Sequence, residues 1–169
     1  GYYGDLALDF KDRYTASVLV RRDGSSLFGP LNRWHTYKRL AGAWLLSREP
    51  WLEGKLPGIN ELKVRYAMGE AGGRPGYGQA VERWSVSRED GLRRENAGNP
   101  SLRPQFTREH EVGIDLIAFN NRVQLELVRA WQRTKDQIIL IPATVITGYA
   151  SANANAAVVE GRTYEATLT

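Results

Sequence analysis

The stretch VRRDGSSLFGPLNRW, from Val20 to Trp34, sets Arg21, Arg22 and Asp23 at the mouth of a polar loop. Cations beside a glycine-containing loop can cradle a phosphate when a lysine or a helix N-terminus completes the site, and neither is present. Asp23-Gly24 and Gly29-Pro30 are instead the turn residues of a strand connection. GEAGGRPGYG, from Gly69 to Gly78, is glycine-rich but lacks the Lys-Ser/Thr pair of a P-loop and reads as a flexible loop. Glu109, His110 and Glu111 are consecutive, so on a strand His110 points away from both carboxylates. His35 has no partner at a metal-ligand spacing, and two histidines without cysteine make a poor zinc set. Glu89 and Asp90 sit in the polar run SREDGLRREN, which reads as a solvated loop. No G-x-S-x-G elbow or Ser/His/Asp order occurs. The expectation is a non-enzyme with no catalytic, cofactor-binding or metal residue, and no substrate-binding residue can be assigned.

The composition narrows the class. The chain has 169 residues, no cysteine, five Trp and eight Tyr, and a formal charge of +4. Aromatics at this level favour strands and interfaces. Absence of cysteine excludes a disulfide scaffold and leaves the compartment open. Lys and Arg are scattered among 19 acidic residues rather than massed in a stripe, so nucleic acid is not an expected partner. No run reaches the roughly 18 apolar residues of a membrane helix. The start, GYYGDLALDF, is not that of a signal peptide, and the end, TYEATLT, alternates without a turn behind it, so both ends read as cut from a longer chain.

Period-2 alternation recurs in segment after segment, the pattern of strands with two unlike faces. Tyr14, Ala16, Val18 and Val20 alternate with Thr15, Ser17, Leu19 and Arg21; Leu62, Val64, Tyr66 and Met68 alternate with Lys63, Arg65 and Ala67. Val112, Ile114 and Leu116 are followed, after Asn120-Asn121, by Val123, Leu125 and Leu127, which predicts a hairpin whose two asparagines take positive φ. The expected strands are roughly 2–9, 13–22, 34–46, 60–69, 106–119, 122–140 and 162–169. Connections that run short at Phe10–Asp12, medium at Ser47–Ile59 and minimal at Asn120-Asn121 alternate with longer ones at Asp23–Arg33, Ala71–Gln105 and Ile141–Gly161. The fold class is therefore all-β, an antiparallel up-and-down meander of about seven strands with tight turns at one end and long loops at the other. Outer-membrane barrels share that asymmetry. Tyr2, Tyr3, Tyr14, Trp34, Tyr37, Trp51, Phe106, Phe119 and Trp131 lie near strand ends, where interfacial girdles form. A soluble β-barrel or sandwich binding a carbohydrate or lipid is the alternative, since it too alternates.

The serial motifs carry a resemblance. DRYTASVLVRRDGSSLFGPLNRWHTY, AGAWLLSREPWL and INELKVRYAMGEAG are followed by NPSLRPQFTREHEVGIDLIAFNNRVQLELVRAWQRTKDQIIL. The chain, over about Tyr2 to Thr169, resembles the barrel of TonB-dependent outer-membrane receptors of the SusC/RagA type. In these an Asn-Pro-x-Leu loop precedes a Gly-x-Asp strand, an Asn-Asn-Arg turn and a strand ending in Thr-x-Asp. Leu27 stands where the family commonly has a basic residue, and Ala130-Trp131 where Tyr-Tyr is more usual.

The resemblance implies that residues 1–169 are a partial barrel domain, about a third of a wall of roughly 22 strands, with the plug domain and both chain termini absent. It implies import of glycans or peptides across the outer membrane of a Gram-negative bacterium. The implied partners are a TonB complex, acting through the missing N-terminal part, a SusD-like surface lipoprotein, outer-membrane lipid and the substrate. The implied cofactor set is empty. The short connections would be periplasmic, the long loops extracellular, and Val18, Val64, Val112, Ile114 and Leu125 would include lipid-facing positions.

Overall fold

In the computed structural model, residues 1–28, 32–89, 91–149 and 151–169 are described. Gly29-Pro30, expected to turn the first long loop, and Asp90, paired above with Glu89, lie outside them. The strands are β1 (Tyr2–Phe10), β2 (Tyr14–Gly24), β3 (Trp34–Leu45), β4 (Ile59–Gly73), β5 (Arg83–Ser87), β6 (Gly91–Asn96), β7 (Gln105–Ala118), β8 (Val123–Pro142) and β9 (Ser151–Leu168). Seven form one antiparallel sheet in the order β1-β2-β3-β4-β7-β8-β9, and β5 and β6 form a separate hairpin within the long loop. The meander expected from alternation is thus the observed architecture.

The sheet is a single layer. Among the described residues the buried apolar side chains are Phe28, Tyr37, Leu102 and Ala118, with Pro75 and Pro104, all near strand ends or in loops. Mid-strand apolar residues are left open, Leu6 at 59% and Leu8 at 58% exposure among them. A packed sandwich would enclose these residues between two sheets.

The turns at one end follow local chemistry. Lys11 and Asp12 take positive φ between β1 and β2, and Arg13 N–H donates to the Phe10 carbonyl at 3.2 Å. The β7–β8 hairpin forms as expected, with Asn120 and Asn121 at φ of 57° and 65°. Its connection is longer than the two expected residues, running from Phe119 to Arg122, because Phe119 also turns left-handed at 54°. Asn60 on β4 holds the turn by accepting the Asn120 and Asn121 N–H groups at 2.9 and 3.3 Å.

Three expected loops are largely strand. β4 continues through Gly69–Gly73 because β7 supplies its ladder as far as Gly73↔Gln105, so these glycines are not a flexible loop. SREDGLRREN contributes to the β5–β6 hairpin, whose ladder closes at Ser87↔Gly91. β9 begins at Ser151 rather than near 162, since β8 runs on to Pro142 and pairs with it across register shifts at Thr134/Gln137 and Gln137/Ile138. SANANAA lacks the β-branched and aromatic residues that mark strands; here the partner strand specifies the structure.

Glu49 fixes the β3–β4 connection to the wall. It is 5% exposed, with Tyr14 Oη donating to it, Trp44 Nε1–H donating at 2.9 Å and Arg13 Nη1 donating at 3.2 Å. The Tyr14 and Trp44 hydrogen bonds, with help from the Arg13 charge, lower its pKa below the ordinary carboxylate value. A carboxylate depressed on folding contributes stability that is complete above its unfolded value near 4.3 and is lost as pH falls through the lower folded value. Unfolding followed by heat-dependent gel mobility should therefore show an acid-labile step below about pH 4.3. Glu49→Gln should lower stability at neutral pH and flatten that step; an unchanged pH profile would refute the role.

Candidate functional site

Residues directly opposite in neighbouring strands point to the same face, and faces alternate along each strand. The register Phe10↔Tyr14↔Trp44↔Val64↔Ile114↔Leu127↔Ala166 therefore runs across one face. Leu6, Leu8, Val18, Leu40, Met68, Val112, Leu116 and Leu125 share it by the same registers. Val18, Val64, Val112, Ile114 and Leu125 thus lie together, as expected of a common apolar surface. Aromatic pairs edge it: Tyr14 stacks on Trp44 at 6.1 Å towards the turn end, and Tyr2 on Trp34 at 6.0 Å and His110 on Trp131 at 5.3 Å towards the loop end.

Not every expected girdle residue belongs to this arrangement. Tyr3 lies opposite Arg21, on the other face. Tyr37 is 7% exposed and fills the gap where β3 and β4 part above the Arg39↔Gly69 pair. A Cβ at Gly72 would lie 1.8 Å from the Tyr37 hydroxyl, so that close approach requires glycine.

The opposite face is charged, and Arg65 on β4 is its hub. Its guanidinium donates to Glu111 at 2.6 Å and Asp115 at 3.3 Å on β7, and reaches Glu126 on β8; Lys63 joins Asp115 at 3.1 Å. Arg65 lies directly opposite Gly113, and a Cβ there would meet its Nε at 2.6 Å and its Cγ at 2.8 Å. Glycine lets the side chain lie across β7 and reach acids on either side. Ala43, opposite Arg65, and the neighbouring Ala41↔Ala67 pair keep the surrounding wall low. His110 points away from this face, hydrogen-bonded to Tyr66 at 2.8 Å, while Glu111 faces Arg65. Among the described residues no group of His, Asp and Glu is gathered to hold a metal ion.

Towards the loop end the charged face opens into a depression of about 470 Å³ lined by Arg21, Tyr37, Arg39, Thr107, Glu109 and Glu111, among others. The opening stretch of the sequence borders it as a strand connection, not a phosphate cradle. Arg21 pairs with Asp23 at 2.8 Å and lies over the Tyr37 ring at 5.8 Å, while Arg22, on the other face, lies over Trp34 at 5.8 Å.

The loops beyond form an ordered cluster. Leu102 is completely buried, and its N–H donates to the Asn99 carbonyl at 3.2 Å. Asn99 accepts the Ser101 N–H at 2.9 Å and donates to the Asn153 carbonyl at 2.9 Å. Asn153, 6% exposed, accepts from Gln79 at 3.3 Å and donates to Asn96 at 3.2 Å. Asn155 takes the Arg103 N–H at 2.9 Å, and Arg103 pairs with Asp136 at 2.9 Å. The serial motifs of the sequence thus act physically. Asn99 and Leu102 build the loop cluster, Gly113 and Asp115 accommodate Arg65, and Asn120 and Asn121 turn the chain. Thr134 meets Thr107 at 2.8 Å, and Asp136 anchors Arg103.

Arg65→Gln should lower the stability of the intact protein by about 1–3 kcal/mol, between the values for exposed and buried pairs, because the carboxylates then face one another without their common cation. Gly113→Val should cost a similar amount by displacing Arg65. The double variant should fall well short of the sum, since both act through one contact. Strict additivity in equilibrium unfolding would refute the coupling.

The family model described as TonB dependent receptor-like, beta-barrel, matches residues 1–168. TonB-dependent receptor P26 of Formosa agariphila is 26% identical over 180 residues, an alignment covering 99% of this chain and 18% of the relative. TonB-dependent receptor SusC of Bacteroides thetaiotaomicron is 35% identical over 71 residues, covering 42% of this chain and 7% of the relative. A solved structure of the RagAB peptide importer in the closed-closed state aligns with a TM-score of 0.83 at 25% identity, over 98% of this chain and 19% of that one. The chain therefore spans less than a fifth of the length of these relatives. An uncovered single-layer meander with one apolar and one ionic face, matched along nearly its whole length, makes this chain a member of the TonB-dependent receptor β-barrel family.

Proposed function

We propose that the chain is barrel wall of a SusC/RagA-like importer in the outer membrane of a Gram-negative bacterium, carrying glycans or peptides inward. The observation that carries this reading is the continuous apolar face, edged by aromatic pairs and left without a covering layer. Hydrocarbon admits a sheet only when every backbone group is paired, which closure into a barrel achieves. The apolar face then meets lipid and the ionic face meets the lumen. The tight turns at Lys11 and Asn120 and the longer β3–β4 connection over residues 46–58 lie on the periplasmic side, and the loop cluster around Leu102 lies outside the cell.

A polar lumen wall suits a hydrated cargo. Acids at Glu109, Glu111, Asp115 and Glu126 and cations at Arg21, Arg39 and Arg65 offer hydrogen-bonding groups of both signs, appropriate to a peptide or a glycan. Peptide cargo is favoured by the likeness to the RagAB peptide importer, which covers nearly all of this chain. Binding alone cannot move cargo against a gradient, so a TonB complex acting on a plug domain supplies the work, and a SusD-like lipoprotein caps the extracellular end. The chain has no catalytic part in this scheme.

Placing arginine at Val64 or Ile114, near mid-wall on the apolar face, should cost about 2–4 kcal/mol, whereas arginine at Ala67 on the ionic face should cost far less. Folding free energies of the full-length receptor in lipid vesicles test this, and equal costs at the two faces would exclude a lipid-facing surface. Uptake of labelled oligopeptides and oligosaccharides by cells producing the full-length receptor should stop when the inner-membrane gradient is collapsed. Uptake indifferent to the gradient would sink the importer reading.

A further inference from the structure

The outward face carries a charged region that import does not use, above the apolar band on β4, β7, β8 and β9. The register gives a row Glu70↔Arg108↔Arg133↔Glu160. Arg108 donates through Nε and Nη2 to Glu70 at 3.1 and 2.7 Å, and Arg133 Nε forms an ion pair with Glu160 at 3.1 Å. At the centre two arginines are directly opposed, each paired with a glutamate on its outer side, so their mutual repulsion leaves room for an anion to be held between them. Both are about half exposed, at 51% and 55%. Each keeps donors that its acid does not occupy, because a guanidinium carries five N–H groups. Lys135 stands one step higher, opposite Phe106, and His110 stacks on Trp131 one step lower. These six side chains line a depression of about 300 Å³ that has no carboxylate in its lining.

The height of this cluster is informative. A strand tilted as in such barrels crosses the apolar band in about ten residues, which is the distance from the hairpin pair Ala118↔Val123 up to Arg108↔Arg133. The cations therefore stand at the outer edge of the band. Directly below on the same strands is a second depression of about 360 Å³, with Val112, Ile114, Leu127 and Tyr164 among its lining residues. Arg129 bridges the two levels, lying over Trp131 at 5.7 Å and Tyr164 at 5.5 Å. Apolar groove beneath, cationic cup above and an aromatic step between them match an amphiphile with an anionic head.

Resting on the outer-membrane reading, we infer that Arg108, Arg133 and Lys135 bind the phosphate of a phosphorylated glycolipid of the outer leaflet, whose acyl chains lie along Val112, Ile114 and Leu127. Arginine pairs bind phosphate through several N–H donors at once, and basic clusters at the membrane edge gather anionic head groups. Free phosphate or cargo is disfavoured as the ligand because the cup lies on the face turned away from the lumen and is continuous with the apolar groove.

The test is native mass spectrometry of the full-length receptor in nanodiscs of zwitterionic phospholipid containing purified outer-leaflet glycolipid, in its phosphorylated or dephosphorylated form. Wild type should retain the phosphorylated form through delipidation and lose the dephosphorylated one, and millimolar inorganic phosphate should not displace it. Arg108→Gln, Arg133→Gln and Lys135→Gln should weaken retention about fivefold each, and Arg133→Lys should restore part of the loss. If a variant carrying all three substitutions fails to insert, the single variants carry the same test. Retention unchanged in the inserted variants, or displacement by inorganic phosphate alone, overturns the site while leaving the importer reading intact. A wild-type receptor that shows no heat-dependent gel shift and does not insert would instead overturn the outer-membrane reading.

Discussion

A sheet with no second layer must settle its energetics strand by strand, and this constraint governs the rest of the structure. Every backbone donor within the wall looks to a neighbouring strand, so register cannot slip by one residue without exchanging the two faces entirely. Here the cost of slippage is unusually explicit. A one-residue shift of β7 against β4 would place Ile114 among the acids and send Asp115 to the apolar side. Arg65 guards against it, since its reach to Glu111 and Asp115 exists only while Gly113 lies opposite.

The same constraint explains why the wall has so little core. Burial in a soluble domain is shared between layers, whereas here it is confined to places where the sheet stops being regular. Tyr37 is buried where β3 and β4 part, Ala118 where β7 ends, and Phe28 and Leu102 in the loops beyond. Each is a small closure at an end of the wall. The loop closure is built from asparagines because backbone that leaves the ladder still requires partners, and Asn96, Asn99, Asn153 and Asn155 can donate and accept at once.

Much of the wall was legible in the sequence because alternation is strongest where the faces differ most. Val64 and Tyr66 against Lys63 and Arg65 set the period, though not how far the strand runs. Legibility failed where the partner, not the segment, decides. Ser151–Ala157 carries small and polar residues with no contrast between faces, yet it is strand because β8 continues beside it. Arg83–Ser87 and Gly91–Asn96 pair with each other above the wall and answer to no apolar face. The ion-pair hub was only half visible: Gly113 and Asp115 stood out as a motif, but a glycine makes sense only once the arginine lying across it is known.

The distribution of arginine shows what periodicity alone leaves open. Arg65 and Arg129 each interrupt a strand of mixed polarity, and the sequence treats them alike. Across the sheet they part company. Arg65 faces acids drawn from two neighbouring strands, a setting that neutralises the charge with protein groups alone. Arg129 faces the rings of Trp131 and Tyr164, which can steady a cation but cannot neutralise it. An arginine on an apolar wall, held by aromatics and followed along the same strand by Arg133, is in a stable position only if the charge can rise to a polar layer, as long cationic side chains do at membrane edges. The aromatic edge is therefore more than a boundary marker: it is what allows positive charge to occupy the outer rim of an otherwise apolar face.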